Sequence, residues 1–318
     1  MTCLPFGASR YYAGLARSQD PFEDPIAAQF MPRDEELAVL PYESADPIGD
    51  SSYFVAPRLV HHYPDRALLL VSDRCATYCR YCFRRHFTGN GGGQITPQQL
   101  EEACGYLSRT PSVHEVLLSG GDPLMLSDRD LGRVIDRLRQ VNPAYILRVC
   151  TRMPVVHPAR ITQDLAGMLG NAGSVWAIIH TNHPRELTPE FRRAARRLLT
   201  SGVPVLNQSV LLRGVNDDAG TLEELFRGLV RAGVKPYYLF QGDLAAGTAH
   251  FRVPMEKGIA LMRELRGRLS GIALPTYAVD LPSGGGKVPV ESSIVRTEPN
   301  AYVLRGADGG EYRYPREA

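Results

Sequence analysis

The sequence predicts an α/β protein: an open, three-quarter (β/α)6 barrel with a wrapping segment before it and a short segment after it. Six short apolar runs alternate with six helical stretches through the middle of the chain, the pattern of a parallel sheet with right-handed crossovers. The helical stretches carry their own punctuation. Thr96-Pro97 and Thr188-Pro189 place Pro at a first helical position, and Gly173, Gly202, Gly233 and Gly271 stand where helices stop,. Six units are too few to close an eight-stranded barrel.

Residues 1–60 are irregular, with repeated Pro and acidic residues, and read as a wrapping segment. The barrel is expected over 61–272. Its strands fall at 67–71, 116–119, 146–151, 175–180, 205–212 and 236–241, and its helices at 97–109, 128–140, 159–171, 189–201, 221–232 and 255–269. Residues 273–318 leave the βα rhythm and form the C-terminal segment.

At 318 residues the chain is long enough for a large core,. A net charge of +2 argues against a nucleic-acid footprint, and Arg192-Arg193-Ala194-Ala195-Arg196-Arg197 reads as a solvated helix face,. No apolar run has the length of a membrane span, and the N-terminus lacks a charged-then-apolar leader,. The expected compartment is the reducing cytoplasm, where six cysteines are not a disulfide framework,. Cys3, Cys104 and Cys150 read as bystanders, Cys150 as strand packing.

The other three cysteines, Cys75, Cys79 and Cys82, are spaced C-x3-C-x2-C in the loop after the first strand, at the mouth where barrel chemistry occurs. Three thiolates can hold three irons of a [4Fe–4S] cubane and leave the fourth open. Structural zinc wants four closed ligands, usually as CxxC pairs; His86 is available as a fourth, but there is no second pair. With Tyr81 the pattern is CxxxCxΦC, which resembles the radical S-adenosylmethionine (SAM) superfamily, where SAM chelates the open iron. The resemblance implies that Gly120, Gly121 and Asp122, in Ser119-Gly120-Gly121-Asp122-Pro123-Leu124, line the amino group of SAM. From the residues alone this is equally a tight βα turn. Asn207, Gln208 and His180 lie in or at the ends of apolar strands and need partners if buried; SAM or a structural hydrogen bond serves equally.

Lys287 follows Ser283-Gly284-Gly285-Gly286. A phosphate loop needs Ser or Thr after the lysine and a helix behind it, but Val288 and Pro289 follow. The better reading is a lysine that forms a Schiff base with pyridoxal phosphate (PLP) on a loop free to swing.

Together the cluster run Cys79–Phe87, SGGDPL, NQSVLLRGVND, His250-Phe251-Arg252 and GGGK resemble the lysine 2,3-aminomutase family, over roughly Tyr63 to Val290. The resemblance implies an isomerase with [4Fe–4S], SAM and PLP in one site. It implies Cys75, Cys79 and Cys82 as cluster ligands, Lys287 as the PLP lysine, and Tyr63 and Arg66 at the PLP ring and phosphate. It implies Arg84 at the substrate α-carboxylate and Asp243 and Asp280 at the distal ammonium of lysine, although each acid is otherwise an ordinary loop residue. His180 and Gln208 match the SAM-binding side. The expected reaction is 1,2-migration of the α-amino group of L-lysine to give β-lysine, with a one-electron reductant such as flavodoxin or ferredoxin. Ornithine or arginine are alternative substrates, and an (R)-β-lysine-forming enzyme for translation elongation factor P is an alternative pathway. A homo-oligomer is compatible. The structural zinc of longer members is not expected, since Asn216-Asp217-Asp218 has no Cys. A non-catalytic metal-binding scaffold is the reading from another class, and retention of the three Cys, Lys287, Arg84 and both Asp disfavours it.

Overall fold

The computed structural model describes residues 4–90 and 92–316; Cys3 lies outside them. Ten strands form one sheet in chain order. An antiparallel pair, β1 (Phe54–Ala56) and β2 (Leu59–Tyr63), leads into β3 (Arg66–Ser72), β4 (Glu115–Gly120), β5 (Ile146–Thr151), β6 (Val175–His180), β7 (Val205–Val210), β8 (Lys235–Phe240) and β9 (Thr276–Leu281). Strands β3 to β9 are parallel throughout, and β10 (Gly286–Pro289) returns antiparallel on β9. β11 (Ile294–Thr297), β12 (Ala301–Arg305) and β13 (Glu311–Pro315) make a separate meander.

The sequence rhythm stops at Ala273, but the parallel sheet does not. Pro275 and Pro282 bracket β9, and a six-residue run between prolines reads as loop,. The expected helix 159–171 is also shorter. A 3-10 turn occupies Pro158–Arg160, and the helix runs Gln163–Asn171, because extended Thr162 caps it by accepting the Leu165 N–H.

Capping explains four of the other helix starts, while the helix Met255–Arg268 has no side-chain cap. The side chains of Thr96, Ser127, Thr188 and Asp218 each accept the N–H of the residue three further on,. The helices bury residues such as Leu131, Leu138, Phe191 and Leu225 against one face of the sheet. Burial alternates along β4, β5 and β7, so Ser119, Arg148, Cys150 and Gln208 fall on the opposite face, toward the barrel interior,.

The barrel stays open, with no strand pairing between its edges among the described residues. Side chains span the gap instead. The His62 Nε2 lies 2.9 Å from the Gly284 carbonyl oxygen, and the Lys287 N–H donates to the Tyr63 hydroxyl at 2.8 Å. Tyr53 stacks on His62 at 4.0 Å and His62 on Tyr63 at 4.6 Å.

The N-terminal segment wraps the barrel, burying Tyr12, Ile26 and Phe30. It also brings a carboxylate to each of several barrel arginines: Asp24 to Arg185 at 2.9 Å, Glu36 to Arg85 at 2.7 Å and to Arg80, Glu43 to Arg252 at 2.5 Å, and Asp50 to Arg84 at 2.7 Å. Among the described residues no helix is long and apolar enough to cross a membrane.

Candidate active site

A cavity of about 540 Å³ opens at the C-terminal ends of the parallel strands, and of the site residues named from the sequence all but Asn207 line it. Its size suits a cofactor pocket.

The cysteine loop begins where β3 ends. Gly120 and Gly121 are required by that loop. A Cβ on Gly120, whose φ is +117°, would stand 2.1 Å from the Ser72 carbonyl oxygen, and one on Gly121 would stand 2.4 Å from that of Arg74. The Gly121 and Asp122 N–H groups donate to these same carbonyls at 2.7 and 2.8 Å. The Asp122 carboxylate is taken up by the Leu124 and Arg152 N–H groups and the Thr151 hydroxyl, at 2.9, 2.8 and 2.8 Å. The motif therefore seats the backbone leading to Cys75 and ties it to the end of β5.

Burial pushes the Cys75 thiol well up, and the nearby Asp122, Cys82 and Cys79 add to the shift; Cys82 is raised by burial and then by Cys79. Two thiols raised by burial, with the Cys79 sulfur beside them, fit a multi-iron cation. Among the described residues no three His, Cys, Asp or Glu side chains close on a single ion; a cubane gives each thiolate its own iron. Arg152, which the sequence reading missed, donates through Nη1 to the Cys79 sulfur at 2.8 Å. Its Nη2 is held by Tyr12, Gln29 and Glu186 at 2.7, 2.6 and 2.7 Å.

His180 meets the Tyr81 hydroxyl at 3.0 Å, with the rings stacked at 5.6 Å. Burial, with Arg152 adding to it, holds its pKa down to about 3, so the ring is neutral near pH 7. Gln208 faces the cavity. Asn207 does not: it is buried on the opposite face of β7 and donates to the Ser209 hydroxyl at 2.9 Å. Cys150 belongs to the cavity wall, where the sequence suggested core packing; Cys104 is in the core.

On the β9–β10 side, Lys287 stands across the hairpin from Asp280, with Nζ 3.4 Å from Oδ2 and 4.4 Å from the Phe240 ring centre. Desolvation, then Asp280, push the Asp243 carboxyl up to about 8. Arg84 is buried and donates from Nε and Nη2 to the Asp50 Oδ2 at 3.2 and 2.7 Å. Asp50 also went unread in the sequence. Arg66 stacks over the Tyr63 ring at 3.6 Å. Arg148 pairs with Glu115 at 2.5 Å, and its buried Nε has no partner among the described residues. A lysine that shares the cavity with Tyr63, Arg66 and this orphaned donor fits an aromatic aldehyde carrying a phosphate.

The family described as the Radical SAM superfamily matches residues 69–226, and the one described as Lysine-2,3-aminomutase matches 262–317. The chain is 42% identical over 307 residues to the L-lysine 2,3-aminomutase of Acetoanaerobium sticklandii, covering 96% of this chain and 74% of that protein. Against the enzyme of the same name from Clostridium subterminale it is 43% identical, with the same coverage. It is 36% identical over 303 residues to the glutamate 2,3-aminomutase of Clostridioides difficile, covering 95% of this chain and 71% of that one. Among solved structures, a radical SAM methyltransferase from Sphaerobacter thermophilus matches with a TM-score of 0.50 at 20% identity, over 70% of this chain and 68% of that one. Native anSMEcpe with bound AdoMet matches at 0.50 and 13%, over 63% and 58%. These two likenesses speak to the fold alone.

Proposed function

Because the chain belongs to the lysine 2,3-aminomutase family of radical SAM enzymes, we propose that it moves the α-amino group of L-lysine to the adjacent carbon to give β-lysine. It is an isomerase that works with a [4Fe–4S] cluster, SAM and PLP. When bound, the cluster with SAM supplies one-electron chemistry that removes a hydrogen atom, and PLP supplies the carbon that holds the migrating nitrogen.

Cys75, Cys79 and Cys82 would hold the cluster, with Arg152 hydrogen-bonded to the second thiol. Neutral His180, Gln208 and the Gly120–Asp122 turn would border SAM. Lys287 would carry PLP, with Tyr63 and Arg66 at its ring and phosphate. Arg84 would take the α-carboxylate through the guanidinium edge that Asp50 leaves free. Substrate and cofactors filling the cavity would displace its water, which protects a radical reaction from side chemistry. A one-electron reductant of the flavodoxin or ferredoxin class would deliver the electron, and open thiols of this kind suit the reducing cytoplasm.

The observation that carries the substrate is Asp243 beside Asp280 in this cavity. An ammonium about 4 Å from one carboxylate gains roughly 4 kcal/mol at an effective dielectric near 20, before desolvation. A substrate with a carboxylate in place of that ammonium gains no such pairing, which disfavours glutamate. Anaerobic incubation of the reconstituted protein with SAM, reductant and separate L-lysine, L-ornithine, L-arginine and L-glutamate tests this. β-Lysine is the expected main product. Turnover of glutamate or ornithine with lysine untouched would overturn the assignment.

A further inference from the structure

Among the described residues the cysteine loop has no helix or strand between Ser72 and Pro97. Something other than backbone ladders must fix where its thiols stand. One carboxylate of the N-terminal segment meets that need. The Glu36 Oε1 accepts from the Arg80 Nε at 2.8 Å, and its Oε2 accepts from the Arg80 Nη2 and, at 2.7 Å, from the Arg85 Nη2. Arg80 directly follows Cys79, and Arg85 lies three residues past Cys82. The side chains of Glu36 and Arg80 are 5% and 1% exposed, so neither charge has water to turn to. Besides Glu36, the Arg80 guanidinium reaches the Leu4 and Pro5 carbonyls, at 3.3 and 3.0 Å.

The same carboxylate reaches the substrate side. The Arg85 Nη1 donates to the carbonyls of Ala246 and Gly247 at 3.1 and 2.9 Å, in the loop that carries Asp243. Gly247 has φ +75°, and a Cβ there would stand 2.4 Å from the Glu36 carbonyl oxygen. Backbone and side chain of Glu36 thus touch both loops.

We propose that Glu36 is a positioning residue of the active site, holding the cysteine loop in register and locking it to the Asp243 loop. The inference rests on the reading that Cys75, Cys79 and Cys82 bind the cluster. Removing one partner of a buried pair leaves an uncompensated charge; here two arginines would lose their shared anion, and the loop between them would open more often.

Glu43 supplies the control. From the same segment it pairs with Arg252, both side chains at most 1% exposed, and accepts the Gly247 N–H at 3.3 Å, so it reaches the Asp243 loop but not the cysteine loop. The test uses anaerobically reconstituted holoenzyme and reads iron per chain, the rate of iron loss to a ferrous chelator, PLP content and melting temperature. Glu36→Gln is expected to lose iron at least roughly tenfold faster than wild type, with Glu43→Gln at the wild-type rate. Glu36→Asp, which keeps the charge on a shorter arm, falls between, and it carries the test if Glu36→Gln does not fold. Wild-type iron retention in the Glu36 variants would overturn the proposal, as would equal acceleration in Glu36→Gln and Glu43→Gln. Cys79→Ala runs alongside: if it kept its full iron, the ligand reading itself would fall, which separates the two failures.

Discussion

Asp243 works against the ligand-free protein. Its carboxyl is raised by desolvation and then by Asp280 to about 8, whereas an unfolded Asp titrates near about 4. Between those values the folded state binds more protons than the unfolded one, so stability falls as pH rises through that window. Asp243→Asn is therefore expected to raise the melting temperature of the ligand-free protein, more at pH 8 than at pH 6, and scanning calorimetry at the two values checks it. The same variant should lose about 2–5 kcal/mol of kcat/KM on lysine and its preference for lysine over norleucine. For the cysteines, Cys79→Ala should abolish cluster iron and SAM cleavage together. Cys104→Ala should leave both intact, since Cys104 packs in the core. Trapping with borohydride should fix PLP on the peptide containing Lys287. The motif residues were legible because their spacing is local. Asp50 and Glu43 were not, because their partners Arg84 and Arg252 lie 34 and 209 residues away and only the fold brings them together.

Among the elements, the turn after β4 and the loop after β3 act as one. The Gly121 clash is with backbone, not with a flexible side-chain end. Gly121→Ala should thus cost about 1–3 kcal/mol of stability, the range for overpacking, and should lower iron content as the Cys75 loop shifts; thermal melts and iron assays read both. Helix limits were legible where Thr-Pro starts and Gly stops are written in consecutive residues, and not at Gln163, where neither signal marks the start. The β9–β10 hairpin was not. Its strands are six and four residues long, broken by Pro282 and the glycines, and its pairing depends on β8 and on support from elsewhere. That support comes partly from the meander: a Cβ on Gly285 would stand 2.6 Å from the Tyr312 ring. Lys287 therefore owes its position to the parallel sheet on one side and the C-terminal strands on the other.

At the scale of the molecule, the sequence rhythm implied an open barrel, but it did not say how the opening is bridged. Parallel pairing holds β3 to β9, while the edges meet through His62, Tyr63, Gly284 and Lys287. Hydrogen exchange should follow this division. Amides of β5 and β6 should open only with global unfolding, and those of β2 and β10 by local fluctuation. PLP should slow the second group and leave the first unchanged; mass-spectrometric exchange with and without PLP reads the difference. The bridge works as a clasp on a ring. One rim grips the backbone of the other through a histidine and a tyrosine, so it can let go without unzipping a single pair of strands. A cofactor as large as PLP can then be loaded, lost and replaced in a chain that has already folded. Protein prepared without PLP should accordingly take up the cofactor when it is added to the folded chain, which PLP content after gel filtration would read.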